Sequence, residues 1–193
     1  MTTLGRLPYL RPCEASDDAF LYAVFSTTWE SEVAALPNQN LAQHVLRIQH
    51  IAQERRFASR YPGHDRFVVL VEGERAGRLY VHTDGLTMHV VDLTLMPEHR
   101  SHGLGSQIFR DLLEEAESEG LTVTLRVGRR NRRATELYTR LGFDLVGVDD
   151  LDNYFEWSPT RPAEVEAMKE TEVRDMKESE QVALAALRPG GQR

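Results

Sequence analysis

Apolar residues recur along the chain with two different periods, and this alternation predicts a series of strands and helices. Residues 9–13 ("YLRPC") predict a short first strand. Residues 17–36 and 40–61 then show helical spacing, which in the second segment involves Leu41, Val45, Ile48, Ile51 and Ala52. Two helices are therefore expected after the first strand.

The next stretch predicts a hairpin, a long strand and an amphipathic helix. Residues 66–85 contain two β-branched runs around the turn "EGERAG", and residues 86–96 form a third run that Pro97 ends. Residues 103–120 place apolar side chains on one helical face and offer Gly120 as a C-terminal stop. The residues of that face are Leu104, Ile108, Leu112 and Ala116.

The remaining patterns complete an α/β domain. Leu121, Val123, Leu125 and Val127 alternate as in a half-buried strand. Residues 131–142 predict a helix that Asn131 caps and Gly142 ends. Two strands, 143–148 and 153–157, follow around the acidic turn "DDLD". The predicted order is β-α-α-β-β-β-α-β-α-β-β, a mixed sheet with helices packed on it.

Composition indicates one domain followed by a tail. The chain has 193 residues, of which 41% are hydrophobic, and this suits a single core. The segment from residue 159 onward is charged, poor in aromatic residues and ends in Pro-Gly-Gly before its last two residues. We predict a domain over residues 7–158 and a charged tail over 159–193, helical or disordered, and favour this over a partner-binding helix.

Charge and cysteine content narrow the class of protein. No apolar run is long enough to span a bilayer, and the N-terminal residues lack a secretory pattern. The single cysteine, Cys13, allows neither an intrachain disulfide nor a cysteine zinc site, so a cytoplasmic protein is expected. The formal net charge of −7 argues against general nucleic-acid binding. His99 and His102 have the spacing of a metal pair but lack a third ligand nearby, and no metal site is predicted.

The sequence "RSHGLGS" at residues 100–106 predicts an anion site. It follows an apolar strand and opens a helix, where backbone N–H groups have no internal partners. Gly103 and Gly105 carry no side chain that would keep a phosphate away, and Arg100 adds a guanidinium fork. Neither the P-loop motif nor the dinucleotide fingerprint fits these residues.

Two spaced motifs resemble the GNAT acetyltransferases. R-x-x-G-x-G after a strand ending in L-x-P is similar to the acyl-coenzyme A loop of that family. The segment "NRRATELYTRLGF" at residues 131–143 resembles the family's N-x-x-A-x-x-L-Y-x-x-x-G-F helix. The order of elements also fits, so the resemblance covers residues 7–158.

The resemblance implies a GNAT-like fold, with a mixed, partly antiparallel sheet, helices on both faces and a V-shaped splay between two parallel strands. These strands would be residues 90–96 and 121–127. Acetyl-coenzyme A would bind in the splay as cosubstrate, and an amine would attack its thioester without an acyl-enzyme. The implied coenzyme-binding residues are Leu95, Met96, Arg100, Ser101, His102, Gly103, Leu104, Gly105, Ser106, Asn131 and Ala134.

The same resemblance places an acid and a base. Tyr138 fits the acid position near the coenzyme sulfur, although a core tyrosine would show the same pattern. Asp92 is a carboxylate inside an apolar strand and is the favoured base, with an ion pair to Arg78 as the structural alternative. His89 is the alternative base, or else an exposed residue at the sheet edge. Strand alternation puts residues 89 and 92 on opposite faces unless a bulge intervenes.

The acceptor is the part that the sequence describes least. By location in the resembled fold, Trp29, Glu30, Tyr80 and Tyr154 are candidates for its wall. We expect a small-molecule or peptide amine, and neither nucleic acid nor membrane as partner; a homodimer is compatible with the sequence. The rival interpretations are a protein N-terminal or lysine acetyltransferase and a non-catalytic acyl-coenzyme A-binding module.

Overall fold

The computed structural model of the protein describes residues 3–159, and the helices and strands follow the predicted order with one additional helix after the first strand. Short 3-10 turns precede β1, α1 and the loop before α4. The helices are α1 (Asp18–Ser26), α2 (Glu30–Ala34), α3 (Gln39–Arg60), α4 (Leu104–Glu119) and α5 (Arg132–Arg140). The strands are β1 (Leu10–Pro12), β2 (Asp65–Val71), β3 (Glu74–Asp84), β4 (Thr87–Leu95), β5 (Thr122–Gly128), β6 (Asp144–Val148) and β7 (Asp152–Trp157).

The seven strands form one mixed sheet in the order β1-β2-β3-β4-β5-β7-β6. All neighbours are antiparallel except β4 and β5, which are parallel because α4 connects them as a crossover. The last strand, β7, lies between β5 and β6. The predicted mixed sheet with helices is confirmed.

The parallel strands β4 and β5 pair only over their first halves. Their register runs from Thr87 opposite Thr122 to Val90 opposite Leu125. Beyond Val90, β4 continues to Leu95 without pairing to β5, while β5 pairs with β7 on its other side. The sheet therefore opens into a V at this point, as expected.

The two faces of the sheet are packed differently. One face contacts α4 and α5 through the main hydrophobic core, which includes the predicted stripe Ile108, Leu112 and Ala116 of α4. Leu121, which directly precedes β5, and the alternating β5 residues Val123, Leu125 and Val127 belong to the same core. In β3, Leu79 points into this core, and strand alternation turns Arg78 to the opposite face of the sheet. There α3 contacts Arg78.

Two helical predictions need correction. The segment 17–36 is not one helix, because α1 ends at Ser26 and α2 begins at Glu30. The hydroxyls of Ser26, Thr27 and Thr28 donate to carbonyls of the preceding turn, which is how such residues compete with helix continuation.

The predicted apolar stripe of α3 faces outward. Leu41, Ile48 and Ile51 are exposed, and Leu46 is the buried apolar residue of this helix. The sheet attracts the polar side of α3 because Arg78 lies beneath it and binds Gln53 and Glu54. A buried arginine on the sheet thus reverses the orientation that periodicity alone predicts.

The β2–β3 hairpin turns more tightly than the sequence suggested. Only Glu72 and Gly73 form the turn, with φ of 52° and 85°, and Val71 pairs with Glu74. These left-handed conformations are typical of two-residue hairpin turns. The remaining residues of "ERAG" belong to β3, where a bulge accommodates Ala76.

A second bulge lies in β4 and bears on the site. Tyr80 of β3 pairs with Asp92 of β4, and the next residue, Val81, pairs with Val90. Val91 is therefore the extra, unpaired residue of β4. The bulge brings His89 and Asp92 to the same face of the sheet, which regular alternation would not do.

Within residues 3–159 no helix is long and apolar enough to cross a membrane. The predicted tail lies outside the described residues, apart from its first residue, Pro159.

Candidate functional site

The loop before α4 forms a cradle of free backbone N–H groups. Gly103 caps the helix in a left-handed conformation with φ of 86°, and its carbonyl accepts from the N–H of Gln107. The N–H groups of Leu104, Gly105 and Ser106 come before Gln107 in the chain, so they have no carbonyl partner within the helix and point out of its N-terminal end. A Cβ atom at Gly105 would meet only Leu95 Cδ1, at 4.0 Å. The space in front of Gly105 is therefore open to a ligand.

A cleft of about 710 Å³ begins at this cradle and runs between the end of β4 and helix α5. It occupies the splay of the sheet. Its walls come from the α1–α2 connection, β4, the start of α4 and α5, and the lining residues are Thr27, Thr28, Leu93, Thr94, Leu95, Arg100, Ser101, Gly103, Gly105, Ser106, Phe109, Asn131, Arg133, Ala134, Leu137, Tyr138 and Arg140.

Most of the predicted coenzyme-binding residues lie in this cleft. The structure brings together Leu95, Arg100, Ser101, Gly103, Gly105, Ser106, Asn131, Ala134 and Tyr138. Three others lie elsewhere. His102 and Leu104 line a neighbouring pocket with Arg110, and the N–H of Met96 donates to the carbonyl of Ala76.

Sequence reasoning missed the wall that α1 contributes. Thr27 and Thr28 line the cleft from the break between α1 and α2. The signal was the run of three hydroxyl residues at the end of an apolar segment, which favours a helix end over a helix interior. Arg133 and Arg140, on α5, add two cations to the cleft.

Arg100 ties two walls of the cleft together. Its Nε donates to the carbonyl of Leu95 at 2.8 Å, and its terminal nitrogen donates to Thr27 Oγ1 at 2.6 Å. Two N–H groups of the guanidinium are thus used within the protein. Arg100 lines the cleft, but much of its hydrogen-bonding capacity is used to hold the loop.

Asn131 has two roles: it caps α5 and lines the cleft. Its Oδ1 accepts from the N–H of Ala134 at 3.1 Å, which confirms the predicted cap of α5. The residue also lines the cleft opposite the cradle.

Tyr138 lies on the inner face of α5, among aromatic rings. Its ring contacts Phe109, Phe143 and Phe155, with centroids 5.0–5.8 Å apart. It is also part of the cleft wall, so it is half-buried and reachable. Burial, and then the negative charge of Asp92, raise the pKa of the Tyr138 phenol above its usual value. A phenol in this state is protonated at neutral pH.

Asp92 forms the ion pair with Arg78 that the sequence left as an alternative. Arg78 Nε donates to Asp92 Oδ2 at 2.7 Å, and Thr94 Oγ1 donates to the same carboxylate at 3.2 Å. The side chain keeps 17% of its surface exposed. Leu93 and Thr94, the next residues, line the cleft. Asp92 therefore lies at the start of the splay, within electrostatic reach of Tyr138.

His89 occupies the paired part of β4, before the splay. Its Nδ1 lies 2.7 Å from Thr124 Oγ1, and its Nε2 lies 3.3 Å from Asp84 Oδ2. Its ring also packs against Tyr61 and His82. These contacts fix the His89 side chain on one face of the sheet, so it is not an exposed residue at the sheet edge.

The four predicted acceptor residues have different positions. Tyr80 is fully buried between Arg66 and Arg78, so its assignment to the acceptor wall is wrong. Tyr154 lies on the open sheet face, where its hydroxyl bonds to Arg126 and Asp149. Trp29 and Glu30 follow directly after the cleft residues Thr27 and Thr28.

Among the residues that the structure describes, no group of three or more histidine, cysteine or carboxylate side chains is arranged to hold a metal ion. His99 and His102 both line the pocket beside the cradle.

Comparison with known proteins relates the chain to acetyltransferases. A model of the acetyltransferase (GNAT) family matches residues 22–143. A PaiA N-acetyltransferase from Thermoplasma acidophilum, in complex with coenzyme A, has 17% identity and a TM-score of 0.59, covering 77% of this chain and 97% of that one. The ribosomal-protein-S18-alanine N-acetyltransferase from Escherichia coli has 19% identity and a TM-score of 0.55, covering 79% and 94%. At these identities the two structures show a shared fold.

Proposed function

The chain belongs to the GNAT acetyltransferase family, and from this premise we propose that it transfers an acetyl group from acetyl-coenzyme A to a primary amine. The observation that carries the proposal is the coincidence of three features in one cleft. A splay of two parallel strands, a glycine-opened helix start and a protonated tyrosine all line it.

The chain's residues fit a pyrophosphate and a pantetheine arm. The N–H groups of residues 103–106 would hold the pyrophosphate, because no side chain fills the space before Gly105 and the helix dipole favours an anion there. Beyond Val90, the edge of β4 that faces β5 is not paired to another strand within residues 3–159, and this edge would pair with the pantetheine arm. Arg133 and Arg140 add positive charge to the cleft. Arg100 would mainly keep the loop in place.

When bound, acetyl-coenzyme A supplies a thioester carbonyl that a free amine can attack directly. The chain must then supply a proton for the departing sulfur. Tyr138 is suited to this role because it lines the cleft and its phenol carries its proton at neutral pH. Its ring is held by three phenylalanines, which fixes the direction of the hydroxyl.

The amine must lose a proton as it attacks, and Asp92 is the proposed acceptor of that proton. It lies at the start of the splay, next to the cleft residues Leu93 and Thr94, and its charge acts on Tyr138. The alternative, His89, lies where β4 and β5 are still paired, one step before the splay. Position along β4 therefore favours Asp92.

The acceptor would enter beside the α1–α2 connection. Thr27 and Thr28 form that side of the cleft, and Trp29 and Glu30 continue it. Glu30 would suit a cationic amine. A small molecule or the amine of a peptide would fit this entrance, and a reducing cytoplasm would keep the thiol product and Cys13 reduced.

An amine panel tests the function. The full chain is mixed with acetyl-coenzyme A and, one at a time, with spermidine, ethanolamine, histamine, short peptides with free N-termini and an N-blocked lysine peptide, and thiol release is followed. We expect amine-dependent release with at least one of these. Coenzyme binding by calorimetry without release for any amine would favour the non-catalytic module, and release with peptides alone would favour a protein acetyltransferase.

A further inference from the structure

A cluster of charged side chains lies beneath α3, and Arg78 is its centre. The side chain of Arg78 has no exposed surface. Its Nε donates to Asp92 at 2.7 Å, and its two terminal nitrogens donate to Glu54 at 3.3 Å and to Gln53 at 2.8 Å. The guanidinium also lies 5.1 Å from the centre of the Tyr80 ring. Every arm of the fork is therefore engaged.

Stability alone does not explain such a cluster. A buried ion pair is often no more stabilising than apolar residues of similar volume, because desolvation offsets the attraction. Helix α3 has an apolar side, but its residues Leu41, Ile48 and Ile51 are exposed to solvent. The polar side of α3 faces the sheet at Arg78 instead. The arrangement is better explained by what the arginine holds.

The cluster ends at the cleft. The bulge at Val91 turns Asp92 toward Arg78 and away from the α4 core, and the next two residues of β4 line the cleft. Two cations, Arg66 and Arg78, face two carboxylates, Glu54 and Asp92. This balance compensates the charge on Asp92 within the protein.

We infer that Arg78 is a positioning residue, which fixes the Asp92 carboxylate at the start of the splay while Gln53 and Glu54 fix Arg78. The inference rests on the proposed function, in which Asp92 receives the proton of the amine. One Asp92 oxygen is bound to Nε of the fork, so the carboxylate cannot rotate freely. The second oxygen, Oδ1, accepts a hydrogen bond from the Thr94 hydroxyl at 3.3 Å and, among the described residues, does not bond to the guanidinium, so in this proposal it is the oxygen that receives the proton.

Arg78→Lys tests this inference, since lysine keeps the charge but lacks the planar fork. A misplacement of a reacting group by about 1 Å costs on the order of 10²-fold in rate. We expect kcat to fall by about that factor, with the affinity for coenzyme A unchanged by calorimetry. Arg66→Lys is the matched control, because Arg66 contacts Glu54 and Tyr80 in the same cluster but not Asp92. It should retain kcat.

A double-mutant cycle separates positioning from a merely structural role. If Arg78 acts through Asp92, then Arg78→Lys should cost no more than about 2- to 3-fold in kcat once Asp92→Asn is present. An equal loss in both backgrounds would overturn the inference, as would normal kcat in Arg78→Lys. Gln53→Leu, which removes one bond to Arg78, gives the same comparison if Arg78→Lys does not fold. Absence of turnover in the unmodified protein would overturn the proposed function itself, and the inference with it.

Discussion

Gly105→Val separates ligand binding from folding. Gly105 is the second residue of α4, its φ is not in the left-handed region, and a Cβ there would lie 4.0 Å from the nearest atom. The protein alone therefore accommodates the side chain. Valine has a slightly better helix propensity than glycine, so the free energy of unfolding should stay within about 0.5 kcal/mol of the parent value.

The expected loss of coenzyme affinity is large. The branched side chain would fill the space in front of the cradle and keep a phosphate from the N–H groups of the first turn. Hydrogen bonds to a charged group contribute about 1.5–3 kcal/mol each. Loss of two such bonds would cost roughly 3–6 kcal/mol, which corresponds to about 10²- to 10⁴-fold in Kd.

Titration calorimetry with coenzyme A, paired with thermal unfolding of the same samples, measures both quantities. Gly128→Val is the matched control: this glycine also has open space at its Cβ position and no left-handed φ, but it ends β5 outside the cleft. It should bind normally. If Gly105→Val binds coenzyme A with the parent Kd, the pyrophosphate does not lie at this cradle and the reasoning fails.

Three further predictions concern the catalytic groups and a buried carboxylate. Tyr138→Phe should lower kcat by roughly 10²- to 10⁴-fold with little change in coenzyme affinity, because a donor to the leaving sulfur acts mainly in the transition state; a variant with full kcat in steady-state assays would make Tyr138 a core residue only. His89→Gln should change kcat by less than about 3-fold, since His89 lies before the splay; a large loss would transfer the role of base from Asp92 to His89. Hydrogen bonds from Arg11 lower the pKa of the Asp17 carboxyl to about 2. Burial acts against this decrease in pKa, and the hydrogen bond from the Glu14 N–H adds to it. Asp17→Asn should therefore cost about 2 kcal/mol in the free energy of unfolding near neutral pH, and this difference should disappear as the pH falls from about 4 to about 2. Chemical denaturation across that range measures it, with the exposed neighbour Asp18→Asn as control; a difference that persists at about pH 2 would contradict the ionic origin.

Local patterns predicted the helices and strands well because each is decided by nearby residues. The alternation from Leu121 to Val127 and the caps at Asn131 and Gly120 depend on the chain within one or two turns. The cradle at Gly103 and Gly105 belongs to the same class, since a strand, two glycines and a helix form it without help from distant segments.

Features that depend on residues far apart in the chain could not be predicted from the sequence. Nothing within α3 indicates that its polar side faces the sheet, because the cause is Arg78, which is 24 residues from Glu54 in the chain. Tyr80 was misplaced for the same reason: Phe57, His64 and Arg66, which lie 14 or more residues away in the chain, contact its ring. The sequence could name an Asp92–Arg78 pair only as one of two alternatives, since the Val91 bulge decides which way Asp92 points.

The place of β7 in the sheet has a consequence for how a newly made chain folds. Because β7 lies between β5 and β6, the edge of β5 stays open until the chain has been made as far as Trp157. At roughly 5–20 residues per second, synthesis from Gly128 to Trp157 takes about 1.5–6 s. A nascent β6, with its exposed Leu145, Val146 and Val148, then has no strand to pair with until Trp157 is made nine residues later, which takes about 0.5–2 s at the same rate. Open apolar strand edges are the surfaces through which chains associate wrongly. Among the strands that the structure describes, the last to be made is therefore the one that covers both open edges, those of β5 and β6.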